Sequence, residues 1–141
     1  MLIEKSGQRL WIAHQSEPFY RASGLEEVLE EDLFIGIMHY PMNEAFYNNR
    51  KENNEFLPYD LILAGHYHGG QWRIPFYGAF FISDVNGSGW LSSQDCASGL
   101  TEWSGYYQYL SRGLGSSGKY KVLKQRWFNP PEINLLTLIS N

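Results

Sequence analysis

The stretch Asp60-Leu-Ile-Leu-Ala-Gly-His-Tyr-His-Gly-Gly-Gln71 decides how this chain reads. Leu61 to Ala64 is a continuous apolar run, the pattern of a strand covered on both faces. It stops at Gly65. Two histidines follow, His66 and His68, enclosed by Gly65, Gly69 and Gly70. In extended chain, residues i and i+2 point the same way, so both rings are expected on one side of the backbone. There they could serve one metal ion, or two ions about 3.5–4 Å apart. The glycines clear side chains from around the pair, which permits a sharp turn and the close approach of an ion or substrate.

A second apolar run, Leu33 to Met38, lies upstream and ends at His39-Tyr40-Pro41. In open α/β sheets, sites form where loops converge at the carboxyl ends of strands. Two buried strands that each end in histidine therefore point to one site. The beginning reads as a hairpin, Leu2–Lys5 and Arg9–Ala13, turned at Ser6-Gly7. Leu25, Val28 and Leu29 predict a short helix over Gly24–Asp32. Met42–Glu55 is expected to be a helix weakened by its asparagines. Gln71–Gly105, dense in Gly, Ser and aromatics, reads as a long functional loop with short strand pieces. Tyr106–Leu110 and Ile133–Ile139 read as later strands, with a turn-rich link at Gly113–Gly118.

The chain has 141 residues, which fits one domain with a real core. Hydrophobic residues at 43% and charged residues at 18% read as globular rather than disordered. The formal net charge of −4 argues against nucleic acid as a partner, since phosphate contacts need surplus Lys and Arg. Glu26, Glu27, Glu30, Glu31 and Asp32 form an acidic cluster. Arg112, Lys119, Lys121, Lys124 and Arg126 form a basic stretch. Both are expected to be solvated faces. Cys96 is alone, so no intrachain disulfide forms, and its neighbours include no base that would activate a thiol. No signal peptide and no apolar run of about 20 residues is visible. A reducing compartment such as the cytoplasm is expected.

The histidine stretch resembles the Gly-His-x-His motif of the calcineurin-like metallophosphoesterases. Met38-His39-Tyr40-Pro41 resembles the motif that precedes it, in which a histidine follows a buried strand. Tyr109-Leu-Ser-Arg-Gly-Leu-Gly115 and Asn129-Pro-Pro-Glu-Ile-Asn-Leu-Leu-Thr-Leu138 resemble the close of one bacterial branch of membrane-associated phosphoesterases. The resemblance implies an α/β (α+β) fold, the C-terminal half of a four-layer αββα sandwich, with residues 1–141 as one partial domain. It implies that His39 and His66 bind one divalent ion of a two-metal centre and that His68 binds the other. In that family the ions hold a bridging hydroxide that attacks phosphorus in line. Imidazole with carboxylate and amide ligands suits Mn, Fe or Zn. The implied substrate is a phosphorylated small molecule or a lipid-linked pyrophosphate. The resemblance also adds the cytoplasmic face of a membrane as an expected location. Arg73 and Arg112 are candidates to face its phosphate, because a guanidinium fork matches phosphate geometry. Trp72, Trp90, Trp103 and Tyr106 could form core or an apolar wall for a lipid or sugar group.

The family's earlier motifs, Asp-x-His, Gly-Asp and Gly-Asn, have no counterpart here. One ion keeps two protein ligands and the other one, short of the usual four or more. Weak metal binding and negligible hydrolysis are expected of the chain alone. The alternative is a non-catalytic remnant or a regulatory or assembly partner of a phosphoesterase. A truncated or split gene product, a miscalled start at Met1, or a second chain bringing the missing half would each account for the departure. His14, at the end of the first hairpin, is expected to be a loop or surface histidine.

Overall fold

A computed structural model describes residues 1–14, 29–42, 48–49, 52–53, 59–82, 89–93, 97–103, 106–116, 118 and 120–139. It is mixed α/β, mostly strand, with few helical turns. The chain divides into two compact units, Met1–His66 with Leu100–Tyr109, and Tyr67–Gly99 with Leu110–Asn141.

The first unit is built on a six-stranded sheet. Its strands are β1 (Leu2–Lys5), β2 (Gln8–His14), β3 (Leu33–Met38), β4 (Leu61–Ala64), β8 (Gly99–Trp103) and β9 (Tyr106–Leu110), in the order β1-β2-β3-β4-β9-β8. The expected hairpin forms: β1 and β2 pair antiparallel, with Lys5 opposite Gln8. Ser6 and Gly7 take φ of 53° and 78°, as a tight two-residue hairpin turn requires. β2, β3 and β4 are parallel, with Ala13 opposite Gly36 and Met38 opposite Ala64.

Local anchors fix this register. Asp60 stands just before β4. Its carboxylate accepts from the Phe34 N–H at 2.7 Å, and its own N–H donates to the Phe34 carbonyl at 2.9 Å. Phe34, Ile35, Met38, Tyr59, Ile62 and Ala64 form the buried apolar set. The Tyr59 ring lies where a Cβ on Gly36 would be, so this strand position has room only for glycine. Burial of Phe34, Ile35 and Gly36 in succession agrees with a strand covered on both faces, whereas Ile37 is exposed.

Asp32 departs from the solvated acidic face. It is buried at the entry to β3, and its carboxylate accepts from the Trp11 indole at 2.7 Å and the Leu29 N–H at 3.0 Å. Arg9 stands 3.5 Å away. Burial alone would raise its pKa. The Leu29 N–H, the Trp11 indole and Arg9 outweigh that and hold the carboxyl below its ordinary value. The stabilisation is therefore complete above about pH 4 and is lost as pH falls through the lowered folded-state pKa. Urea unfolding is expected to weaken between pH 5 and pH 2.5 in the native chain. Asp32→Asn should be less stable at pH 7 and show a flatter acid limb. Parallel limbs would contradict this assignment.

The second unit holds a three-stranded antiparallel sheet, β5 (Arg73–Ile74), β6 (Gly78–Ile82) and β7 (Gly89–Ser93). Gln71–Gly105, read as a long loop with short strand pieces, carries the short strands β5, β6, β7 and β8. Antiparallel partners close in sequence pair through their backbones despite many glycines. Ala79, Ile82 and Ala97 make a small core, with Tyr67 packed on it. Ile133–Ile139, expected to be a strand, forms none, which corrects that reading. Its sequence suits extended backbone, but no neighbour among the described residues completes a ladder. Ile133, Leu135 and Ile139 are 82%, 92% and 82% exposed.

Leu29–Asp32 forms a turn. The rest of the helix expected over Gly24–Asp32, most of Met42–Glu55, and Cys96 lie outside the described residues.

Candidate metal centre

The two central parallel strands deliver histidines to the same, carboxyl end of the sheet. Met38 ends β3 and Ala64 ends β4, opposite one another in the register. His39 follows the first directly, and His66 follows the second after Gly65. Their ring nitrogens meet: His66 Nδ1 is 2.9 Å from His39 Nε2. The ring centroids are 4.8 Å apart at an interplanar angle of 70°. Tyr40, which sequence reasoning carried only as part of a motif, braces both rings. Its own ring lies 4.0 Å from His66 and edge-on to His39 at 4.7 Å. His14 ends β2, the next parallel strand, and is exposed.

A buried amide fixes the chain after His39. Gln108 on β9 accepts from the Met42 N–H at 2.7 Å and donates to the Met42 carbonyl at 3.3 Å. Sequence reasoning missed this residue. A buried polar side chain inside the apolar-aromatic run of β9 is the signal that could have found it.

The pair fits a cation on chemical grounds. At 2.9 Å, one nitrogen must donate and the other accept, or both lone pairs must face a common ion. Imidazole nitrogens about 2.0–2.1 Å from one ion, in neighbouring positions, stand roughly 3 Å apart. Among the described residues, however, no group of three or more His, Cys, Asp or Glu side chains comes together. The pair accounts for two donors only.

His68 belongs to the second unit. The turn that carries it is not extended: His66, His68 and Gln71 take φ of 58°, 49° and 44°, and Gly69 and Gly70 take 67° and 81°. Tyr67 between the histidines is α-like, at φ −73° and ψ −13°. Strand alternation therefore does not govern the directions of the two rings, which corrects the geometric basis of the i, i+2 reading. Side chains at positive φ are strained, and such strain persists only where surrounding structure holds it. Here the His68 carbonyl accepts from Asn129 Nδ2 at 2.6 Å, and the His68 ring lies beside Gly115.

Arg73 is buried. Its guanidinium donates to the Gly69 carbonyl at 2.7 Å and lies 3.4 Å from Ser98 Oγ. Burial pushes its pKa down, and Arg112 adds to this, against Glu132. Arg112 is partly exposed, pairs with Glu132 at 3.3 Å and lays its side chain against Gly69. Arg126 donates to the carbonyls of Arg112, Gly113, Gly115, Asn129 and Pro130. Burial first, then Arg112, lower its pKa. The basic stretch is therefore no uniform solvated face: Arg112 and Arg126 are internal ties, Lys121 and Lys124 are exposed, and Lys119 lies outside the described residues. Trp72 donates its indole N–H to the Gln125 carbonyl and sits 6.3 Å from Phe80, as a packing residue of the second unit. Tyr106 is half-buried, and the side chains of Trp90 and Trp103 lie outside the described residues.

Two curated proteins are similar to this chain, and both are named for phosphoester chemistry. The first is an uncharacterized metallophosphoesterase, YkuE, of Bacillus subtilis, 35% identical over 83 residues. The second is the phosphodiesterase YaeI of Escherichia coli, 32% identical over 82 residues. The matches cover 59% and 58% of this chain. The likeness is to phosphoesterases. The chain spans only about a quarter of the length of these relatives (25% and 26%). No family model matches the chain, and no solved structure matches it. The first relative's name implies divalent metal ions. No helix among the described residues is long and apolar enough to cross a membrane.

Proposed function

We propose that this chain carries the C-terminal part of a metal-dependent phosphoesterase site. The observation that supports this most is the 2.9 Å approach of His39 Nε2 and His66 Nδ1 beyond the ends of adjacent parallel strands. In this reading His39 and His66 hold one divalent ion and His68 another. Mn, Fe and Zn all suit the donor type. A bound ion would act as a Lewis acid toward a phosphoryl oxygen. The chain's own residues do the rest. His39 Nε2 and His66 Nδ1 would hold the ion, each neutral ring carrying its single proton on its other nitrogen. Tyr40 keeps both rings in place. Arg112, the more exposed of the two candidate arginines, reaches the phosphate. Arg73 acts through the Gly69 carbonyl, to which it donates.

The proposed substrate is a phosphorylated small molecule or a lipid-linked pyrophosphate, met in the cytoplasm or at the cytoplasmic membrane face. The two sheets are proposed to be portions of a four-layer αββα sandwich. A second chain or a further segment brings the remaining ligands, and the exposed Ile133, Leu135 and Ile139 favour such association. Without that part, hydrolysis is negligible. A second reading, a non-catalytic assembly partner, draws on the two-donor count among the described residues.

Zinc titration of ¹⁵N-labelled chain tests the proposal. The ring resonances of His39 and His66 are expected to shift together along one binding curve. Independent curves, or no response at millimolar zinc, would refute a shared ion.

A further inference from the structure

We propose that Asn129 is a positioning residue that sets the direction of the His68 ring. The inference rests on the reading of His68 as a ligand and adds a residue to it. Asn129 is buried, with 2% of its surface exposed. Its amide nitrogen donates to the His68 carbonyl at 2.6 Å and lies 3.3 Å from the Gln71 carbonyl. These are the two ends of the left-handed run from His68 to Gln71. One side chain thus grips both ends of the strained turn.

The orientation of that amide is determined by its partners. Carbonyls only accept and a guanidinium only donates. Nδ2 must therefore face His68 and Gln71, while Oδ1 faces Arg126 at 3.3 Å. Arg126 Nε also donates to the Asn129 carbonyl at 2.8 Å, so the guanidinium holds the residue by main chain and side chain together. The same guanidinium donates to the Gly115 carbonyl at 2.6 Å. Gly115 in turn lies against the His68 ring, and an added Cβ there would be 3.4 Å from Cε1. Arg126 and Asn129 therefore constrain His68 from both sides, its backbone through Asn129 and its ring through Gly115. Hydrogen-bonded partners behind a ligand typically govern affinity by 10–100-fold.

Asn129→Asp separates this role from packing. It keeps the shape and the acceptor for Arg126, but turns a carboxylate oxygen toward two carbonyls. The test is the zinc titration of the 141-residue chain, read at each histidine ring. Asn129→Asp is expected to weaken the His68 response about 10–100-fold. The His39 and His66 curves should stay within about twofold, and Asn129→Gln, which restores a donor, should recover part of the loss. An unchanged His68 curve would overturn the proposal, as would equal losses at all three rings. If Asn129→Asp does not fold, Arg126→Lys is read instead, with a smaller loss confined to His68 expected. The underlying reading fails separately: a parent chain whose His68 ring never responds to zinc has no second ligand to position.

Discussion

Replacing His66 with alanine is expected to abolish the zinc response of His39, with apparent affinity falling at least about 100-fold. Loss of a partner behind a ligand already costs 10–100-fold, and His66 is one of the two histidines whose ring nitrogens meet. The position complicates the test, because His66 sits at φ 58°. A strained turn could relax when its side chain changes. His66→Gly controls for this. Glycine adopts positive φ without steric cost, so that variant should be at least as stable as the parent while still losing zinc. If either variant keeps the parental His39 curve, the shared ion is wrong. Loss in both assigns the effect to the imidazole rather than to the turn.

The second large effect is on stability. Gly70 takes φ 81°, and a Cβ added there would collide with the Cβ of Ala79 in β6. Left-handed backbone costs a non-glycine residue about 1–2 kcal/mol. Forcing a methyl into packed core costs about 1–3 kcal/mol more. Gly70→Ala should thus lose about 2–5 kcal/mol, a large part of the roughly 5–15 kcal/mol that keeps a domain folded. Gly65 makes the contrast. An added Cβ there meets nothing within 4 Å, so Gly65→Ala should stay within about 0.5 kcal/mol. Urea unfolding compares the two. Equal stabilities would mean that the turn does not pack on β6 as described.

The features that were legible in the sequence have local causes. Ser6-Gly7 announces its hairpin because few residues accept positive φ at both turn positions. Leu33–Met38 and Leu61–Ala64 announce themselves as continuous apolar runs, and a histidine at the end of each marks the carboxyl end of the sheet where β3 and β4 deliver it. What was not legible depends on partners distant in sequence. The short strand pieces of Gln71–Gly105 were legible, but not the pairing of β5, β6 and β7 into one sheet. Ile133–Ile139 has strand-like residues but no ladder among the described residues. Asp32 looks like one more surface acid until Trp11, 21 residues earlier, is seen to hold its carboxylate. His68 was legible as a candidate ligand, but not the left-handed turn beneath it. Nor was Asn129, 61 residues later, which grips that turn.

Manganese content after dialysis, measured by elemental analysis on the 141-residue chain and on His39→Ala, shows whether His39 belongs to a metal site. The native chain is expected to keep a measurable amount of manganese, less than one ion per chain, and the variant none. Equal manganese in the two proteins would contradict the claim that His39 and His66 form part of a metal site. Two tightly held ions in the native chain would contradict the claim that the site is incomplete here.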